Sequence, residues 1–426
     1  MDGTEEFAPE QAGTDHADAI AVIGMGCRFA GADGVQEFLR NLTEGRDCVT
    51  RAPKRATFDE QGVARQVAAW GLMPERDRFD RGLVGYTDPL GDHDPQHGLL
   101  YETLWAAVED AGLRISDIGP STALYAGVAR TRPIPRAAFE DVVNSDATFA
   151  GPHFSYFHNL QRESVMVDGT CATGLLAVHL ASQSLRTGEC DYALAGGVAM
   201  MDTDGCYEYS PKGIYSPTGY CRPFDRTSDG VIPGDGVGAV LLRRLDDALC
   251  DGDSVHAVIR STTVGNDGHD KAGFTIPGIP GKVRVVRWAL DRAGLTGADL
   301  GYVEAHGVGI PMNDQIEATA LTEALGPDGG ELAIGSVKAS VGHTDTAAGF
   351  AALIKTVLSV REGILFATPN TGGEPIEEMV KGGDRFSILP ESRHWPGTGR
   401  PRRAGVMSAG FGGINAFAVI EEAVEA

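Results

Sequence analysis

Residues 171–188 read CATGLLAVHLASQSLRTG, and residues 346–363 read TAAGFAALIKTVLSVREG. Set in register, Gly174 falls on Gly349, Ser184 on Ser359, Arg186 on Arg361 and Gly188 on Gly363, and the apolar positions between them coincide. One amphipathic helix can resemble another because both obey a 3.6-residue period. Glycines and an arginine shared at fixed offsets point further, to a duplicated unit. Such a chain builds two similar halves, each around a buried helix entered through small residues. AIAVIGMG, STALYAGVA, DYALAGGVAM, VGAVLLRRL, HAVIRSTTVG, DLGYVEAHG and ELAIGSVKA read as buried strands with helices between them. That alternation argues for α/β layers. The helix in DHDPQHGLLYETLWAAVEDAGL has Asp94 to cap it, Pro95 for its first turn and Gly112 for its end. The expected organisation is a disordered acidic tail over 1–17, a half over 18–250 carrying Cys171, and a half over 251–426 carrying His306, Lys338 and His343.

Charge and cysteine usage exclude several classes of function. The 426 residues hold 36 Lys and Arg against 59 Asp and Glu, a net charge of −23. A chain this acidic is a poor partner for nucleic acid or an anionic membrane surface, because phosphate neutralisation needs a basic face. The N-terminus MDGTEEFAPEQAGTDHADA is acidic where a secretion signal is basic and then apolar. No apolar run reaches the ~20 residues that span a bilayer. Seven cysteines at irregular spacing, with no CxxC pair, suit free thiols in a reducing cytosol better than disulfides or a zinc site. Gly24-Met25-Gly26-Cys27-Arg28-Phe29 fails as a dinucleotide fingerprint, because its third glycine position is Phe29. His93 and His97 are four apart at a helix start, but no third ligand accompanies them. They read as solvated or supporting histidines, and no metal is expected.

Four stretches carry candidate chemistry. Cys171 lies in VDGTCATGL, among small residues at the entrance of a buried helix. A free cysteine there can be a small hydrophobe. It can also be a nucleophile, since a helix N-terminus favours thiolate over thiol. His306 follows a strand in VEAHGVGIPMNDQIEA, Lys338 and His343 precede the second buried helix in GSVKASVGHTDTAAG, and SAGFGGINAF turns tightly around Phe411. Singly, each has an ordinary reading: a surface histidine, a solvated lysine, a tight turn. Together they sit at strand–helix junctions of a duplicated unit, where open α/β folds build their sites.

The ordered series IAVIGMGCRF, DPQHGLLYETLWAAVEDAGL, the stretch around Cys171, DGVIPGDGVGAVLL, EAHGVG, GSVKASVGHTDTAAG and GFGGINAF resembles the β-ketoacyl synthases. These are the condensing enzymes of fatty acid and polyketide assembly, and the likeness is strongest to polyketide ketosynthase units. It runs from about Ala19 to Glu422. The resemblance implies a thiolase-like α/β fold with duplicated five-layered αβαβα architecture, a cytoplasmic homodimer and no bound cofactor. It also implies acyl substrates presented on the phosphopantetheine of an acyl carrier protein. Residue by residue, Cys171 becomes the acylated nucleophile, and His306 and His343 assist the reaction and stabilise an enolate. Lys338 orders the site by pairing with Glu317. The backbone N–H groups of Cys171 and Phe411, the latter followed by Gly412, form an oxyanion hole.

The pattern also breaks in places. Two family threonines that bond the pantetheine arm are here Val308 and Ile310. Val231 replaces an aromatic residue, Ile414 a threonine and Phe417 a histidine, and Asn313-Asp314-Gln315 replaces a glycine-aspartate-proline. Val231, Val308, Ile310 and Ile414 are therefore expected around the substrate. The intact nucleophile argues against a catalytically dead partner protein. Three reactions stay open: decarboxylative elongation with a malonyl carrier, non-elongating acyl transfer, and intramolecular condensation with cyclisation and release. The lost hydroxyls favour the last, which needs no second pantetheine arm. The chain stops soon after AFAVIEEAVEA, which suggests a free-standing enzyme of specialised, antibiotic-type metabolism that meets its carrier in trans. Arg400, Arg402 and Arg403 are candidates for docking that carrier, or a structural arginine group before the last strand.

Overall fold

A computed structural model describes residues 18–52, 57–58, 64–76, 78–80, 82, 94–129, 139–201, 203, 205–372, 374–381, 383 and 385–423. The tail over 1–17 and His93 lie outside the described residues.

A sheet of 11 strands runs through the molecule, and its order displays the duplication. The N-terminal part contributes β1 (Ile20–Phe29), β2 (Thr122–Val128), β3 (Ser164–Met166), β4 (Tyr192–Ala199) and β5 (Gly236–Arg244). The C-terminal part contributes β6 (Ala257–Asn266), β7 (Tyr302–Glu304), β8 (Leu332–Gly335), β9 (Phe386–Ile388), β10 (Arg403–Ala409) and β11 (Ile414–Glu421). Outward from the centre the order is β1-β5-β4-β2-β3 on one side and β6-β11-β10-β7-β8 on the other, with β9 added at the edge. On each side the two inner pairings are antiparallel and the outer ones parallel. The sides meet where Ile20, Ala21 and Val22 pair with Ile259, Val258 and Ala257. The central strands β1, β4 and β5 are nearly continuous apolar runs because both of their faces are covered.

The helices that cover them are α1 (Pro95–Asp110), α2 (Thr173–Thr187), α3 (Ile279–Ala293), α4 (Pro311–Leu325) and α5 (Ala348–Glu362). The two helices of the repeated sequence, α2 and α5, pack on each other between the two sides of the sheet. α5 is buried continuously from Ala348 to Val360. α1 covers the outer face of β1, β5 and β4, while α3 covers β6 and β11 and packs on α4. Helix, sheet, helix, sheet, helix is the five-layered arrangement. The glycines that coincide in the sequence repeat also touch in space. A Cβ on Gly174 would lie 2.9 Å from Gly349 Cα, and one on Gly349 would lie 2.8 Å from Leu175 N.

α1 starts as its sequence dictates. Asp94 accepts a hydrogen bond from Gln96 N at 3.0 Å, and Pro95 occupies the first turn. His97 differs from expectation. It is fully buried, with its ring 6.3 Å from that of Tyr101, because its position on α1 faces the core rather than solvent.

Candidate active site

Cys171 stands on a tight loop between β3 and α2. Thr170, just before it, has φ 52, a left-handed conformation rare for a β-branched residue. Local hydrogen bonds hold it there. Thr170 N donates to Asp168 Oδ1 at 2.9 Å, and Thr170 O accepts from Thr173 N at 3.0 Å and Thr173 Oγ1 at 2.7 Å. The glycine-rich turn 410–413 presses onto the same loop. A Cβ on Gly410 would lie 2.2 Å from Thr170 Oγ1 and 2.4 Å from Gly169 O. Ser408 Oγ donates to Cys171 O at 3.0 Å, fastening β10 to the loop.

His306 is placed by the helix that follows it. Asp314 and Glu317 are three apart on α4 and so share a face. Glu317 accepts from His306 N at 2.7 Å and Gly307 N at 2.8 Å. Asp314 accepts from Val308 N and Gly309 N, each at 3.1 Å, and from Phe224 N at 2.9 Å. Four successive amides are thus claimed by two carboxylates, as buried N–H groups require. Burial still pushes the Asp314 carboxyl up to about 7. Lys338 Nζ donates to His306 O at 2.6 Å. Lys338 and Glu317 grip opposite ends of the His306 residue; no direct ion pair joins them among the described residues, but the Glu317 charge still acts on the Lys338 ammonium.

The two imidazoles are oriented alike. His306 Nδ1 accepts from Ala409 N at 3.3 Å, and His343 Nδ1 accepts from Asp345 N at 3.1 Å. In the neutral ring the proton then sits on Nε2. Burial, with the Lys338 charge behind it, holds the His343 imidazole down at about 3. The same two causes, joined by His343 and Lys282, hold His306 well below its ordinary value. The rings stand 5.7 Å apart at 85°. The arrangement offers two neutral Nε2–H donors.

Cys171, His306 and His343 line one pocket with about 610 Å³ of empty space, its mouth included. Val231, Val308, Ile310, Glu317, Phe411 and Gly412 line it too. Phe411 is half exposed at the mouth, and the ring of Phe274 lies across Gly412. Ile414 is not in the wall. It wedges under the nucleophile loop, where Cβ atoms on Gly169 and Gly410 would lie 3.1 and 2.7 Å from its side chain. Lys338 sits behind His306, outside the lining.

Sequence reasoning missed Lys282 and the loop residues Phe274, Ile276 and Pro277, all in the wall. The loop carries no motif, and a single lysine on an amphipathic helix reads as solvated. It also passed over Asp345, whose Oδ1 lies 3.8 Å from Cys171 Sγ. The thiol itself departs from the expected thiolate. Burial and then the Asp345 charge push it up to about 12, against an opposing pull from Lys338. The arginine group proves structural at two positions: Arg402 pairs with Glu422, and Arg403 with Glu421 at 2.5 Å. Among the described residues no three His, Cys, Asp or Glu side chains gather as for a metal ion. No described helix is long and apolar enough to cross a membrane.

A cysteine facing two neutral histidines, inside a duplicated five-layered α/β fold, marks a condensing enzyme of the thiolase superfamily. Known proteins agree. The sequence matches the beta-ketoacyl synthase N-terminal domain over residues 17–248 and the C-terminal domain over 256–372. The chain belongs to the β-ketoacyl synthase family and is a ketosynthase of polyketide synthase type, a transferase-class condensing enzyme. It is 39% identical to a phenolphthiocerol/phthiocerol polyketide synthase of Mycobacterium tuberculosis, over 96% of this chain and 23% of that protein. It is 38% identical to polyketide synthase GfsE of Streptomyces halstedii, over 97% of this chain and 11% of that one. The chain thus spans less than a quarter of these relatives. Ketosynthase twelve of the bacillaene polyketide synthase from Bacillus amyloliquefaciens superposes with a TM-score of 0.90 at 31% identity, covering 96% of this chain and 74% of that one. The module 1 ketosynthase of the bacillaene synthase from the same species gives 0.87 at 33%, covering 96% and 76%.

Proposed function

We propose that the protein accepts an acyl chain from the phosphopantetheine of an acyl carrier protein onto Cys171, then joins two carbons within that chain and releases a ring. The carrying observation is the apolar wall. Val308 and Ile310 stand beside the nucleophile where an incoming pantetheine arm would look for hydroxyl partners. A buried amide left without a partner costs ~1–3 kcal/mol, which weakens a second carrier's binding about tenfold or more. An intramolecular reaction avoids that binding and gains effective concentration. In the first step Cys171 Sγ attacks the thioester carbonyl, its proton passes to Asp345, and the pantetheine thiol leaves protonated. In the second, Asp345, again a carboxylate, takes the acidic proton between the chain's two carbonyls, the enolate carbon attacks the Cys171 thioester carbonyl, the C–S bond breaks, and the proton returns from Asp345 to Cys171 Sγ. The Nε2–H groups of His306 and His343 stabilise the enolate oxygen. The N–H groups of Cys171 and Phe411 hold the tetrahedral oxyanion.

The protein is proposed to work as a cytosolic homodimer. The described cysteines are all free, as a reducing compartment keeps them. The edge strand β3 exposes Val165 beside Tyr156 and Phe157, an apolar margin that a second copy would cover. Decarboxylative elongation is the second reading, favoured by the intact histidine pair. The test supplies a carrier-bound β-ketoacyl chain with and without malonyl carrier, and follows Cys171 by intact mass. Cyclised product without malonyl carrier is the expected result. Product only with malonyl carrier, with carbon dioxide released in proportion, would establish elongation instead.

A further inference from the structure

Lysines 282, 338 and 355 are all buried. Two of them are matched: Lys355 Nζ lies 2.8 Å from Glu304, and Lys338 donates to His306 O. Lys282, on α3, is 2% exposed and has no hydrogen bond or ion pair among the described residues, yet it lines the pocket of Cys171. The acids near it are engaged elsewhere. Asp267 accepts from Asn415 Nδ2 at 2.7 Å and from Gly278 N at 3.0 Å. Glu317 is taken by the amides of His306 and Gly307. The neighbouring wall is apolar: Phe274, Ile276, Val308 and Ile310. The Lys282 charge reaches the reaction centre, because it is one cause of the depressed His306 imidazole.

A cation in an apolar wall is costly unless an anion faces it. Among the described residues no carboxylate pairs with Lys282 directly, because Asp267 and Glu317 are turned to amides, so a ligand anion is the partner left for it. We propose that Lys282 binds a carboxylate carried by the substrate whose thioester reaches Cys171. This rests on the acylation reading above. The carboxylate has two possible sources, the acyl chain itself or a malonyl-type extender. An ammonium on the extender would stabilise the anion that has to lose carbon dioxide, whereas on an acyl chain it only orients.

Binding can be measured without turnover. The probes are non-transferable amide analogues of pantetheine bearing a chain that ends in carboxylate, the same chain ending in carboxamide, or a malonyl group. The full chain carrying Cys171→Ala is titrated with each by calorimetry, with and without Lys282→Met. The chain carboxylate is expected to bind about tenfold tighter than the carboxamide, and Lys282→Met should bring the ratio to about one. A Lys282-dependent preference confined to the malonyl analogue assigns the anion to the extender. Equal affinities of carboxylate and carboxamide, or a preference that survives Lys282→Met, overturn the proposal. Lys282→Gln repeats the comparison with a polar side chain should the methionine variant fail to fold. Acylation of wild-type Cys171 by a neutral chain is read separately by mass, so failure of the acylation reading is distinguishable from failure of the Lys282 site.

Discussion

The thiol of Cys171 illustrates how one neighbour can reverse a local rule. A helix mouth favours thiolate, but Asp345 Oδ1 lies 3.8 Å from Sγ, and burial with that charge pushes the thiol up to about 12. Removing the charge should bring it down. Asp345→Asn is expected to speed iodoacetamide labelling of Cys171 at pH 8 by roughly threefold to tenfold, read by peptide mass against the other thiols. An unchanged rate would mean that burial alone sets the resting state. Cys171, His306 and His343 were legible because their types recur in motifs at junctions. Asp345 was not, because its effect depends on a distance across the fold between residues far apart in the chain. Lys282 was hidden for a related reason: nothing in GKVRVV reveals that its helix turns that position inward.

At the scale of elements, runs of apolar residues made the strands readable, and the capping residues of α1 set its start. The order β1-β5-β4-β2-β3 was beyond reach, since pairing partners are chosen by contacts remote in sequence. The repeat did foretell a specific contact. Gly174 and Gly349 meet backbone to backbone, with no room for a Cβ on either. In an ordinary helix, replacing glycine by alanine gains ~0.5–1 kcal/mol. Here overpacking at the crossing, typically ~1–3 kcal/mol, should win. Gly349→Ala and Gly174→Ala are each expected to lower the melting temperature. The double variant should lose less than the sum, because the first displacement already opens the gap. Thermal melts of the three variants check the sign and the coupling.

For the molecule as a whole, buried imidazoles tie stability to pH. His343 is held at about 3 and His179 at about 4, and His306 is also depressed. The folded state keeps these rings neutral while the unfolded chain protonates them below its ordinary value of about 6.5. Their contribution is complete above that value and is lost as pH falls toward 4. Asp314 acts in the opposite sense, since its raised carboxyl holds a proton up to about 7. His153 and His158 are depressed as well, and Asp235 and Asp345 are raised like Asp314, so five rings stand against three carboxyls and leave a net loss on acidification. Melting temperature should therefore fall steadily from pH 7 to pH 4.5, and His343→Gln should flatten the slope by up to about one proton's worth, ~1.4 kcal/mol per pH unit. A flat wild-type profile would contradict the neutral-ring arrangement.

The crossing of α2 and α5 has a consequence for how the reaction centre is measured out. Cys171 precedes the first turn of one helix and His343 shortly precedes the other, and the helices touch at Gly174 and Gly349. The gap between nucleophile and imidazole is thus referred to a single fixed point, like the jaws of a caliper to its pivot. Each half of the duplication owns one jaw. Separated, one half would keep a thiol and the other its histidines, and neither would retain the spacing that lets them act on the same carbonyl.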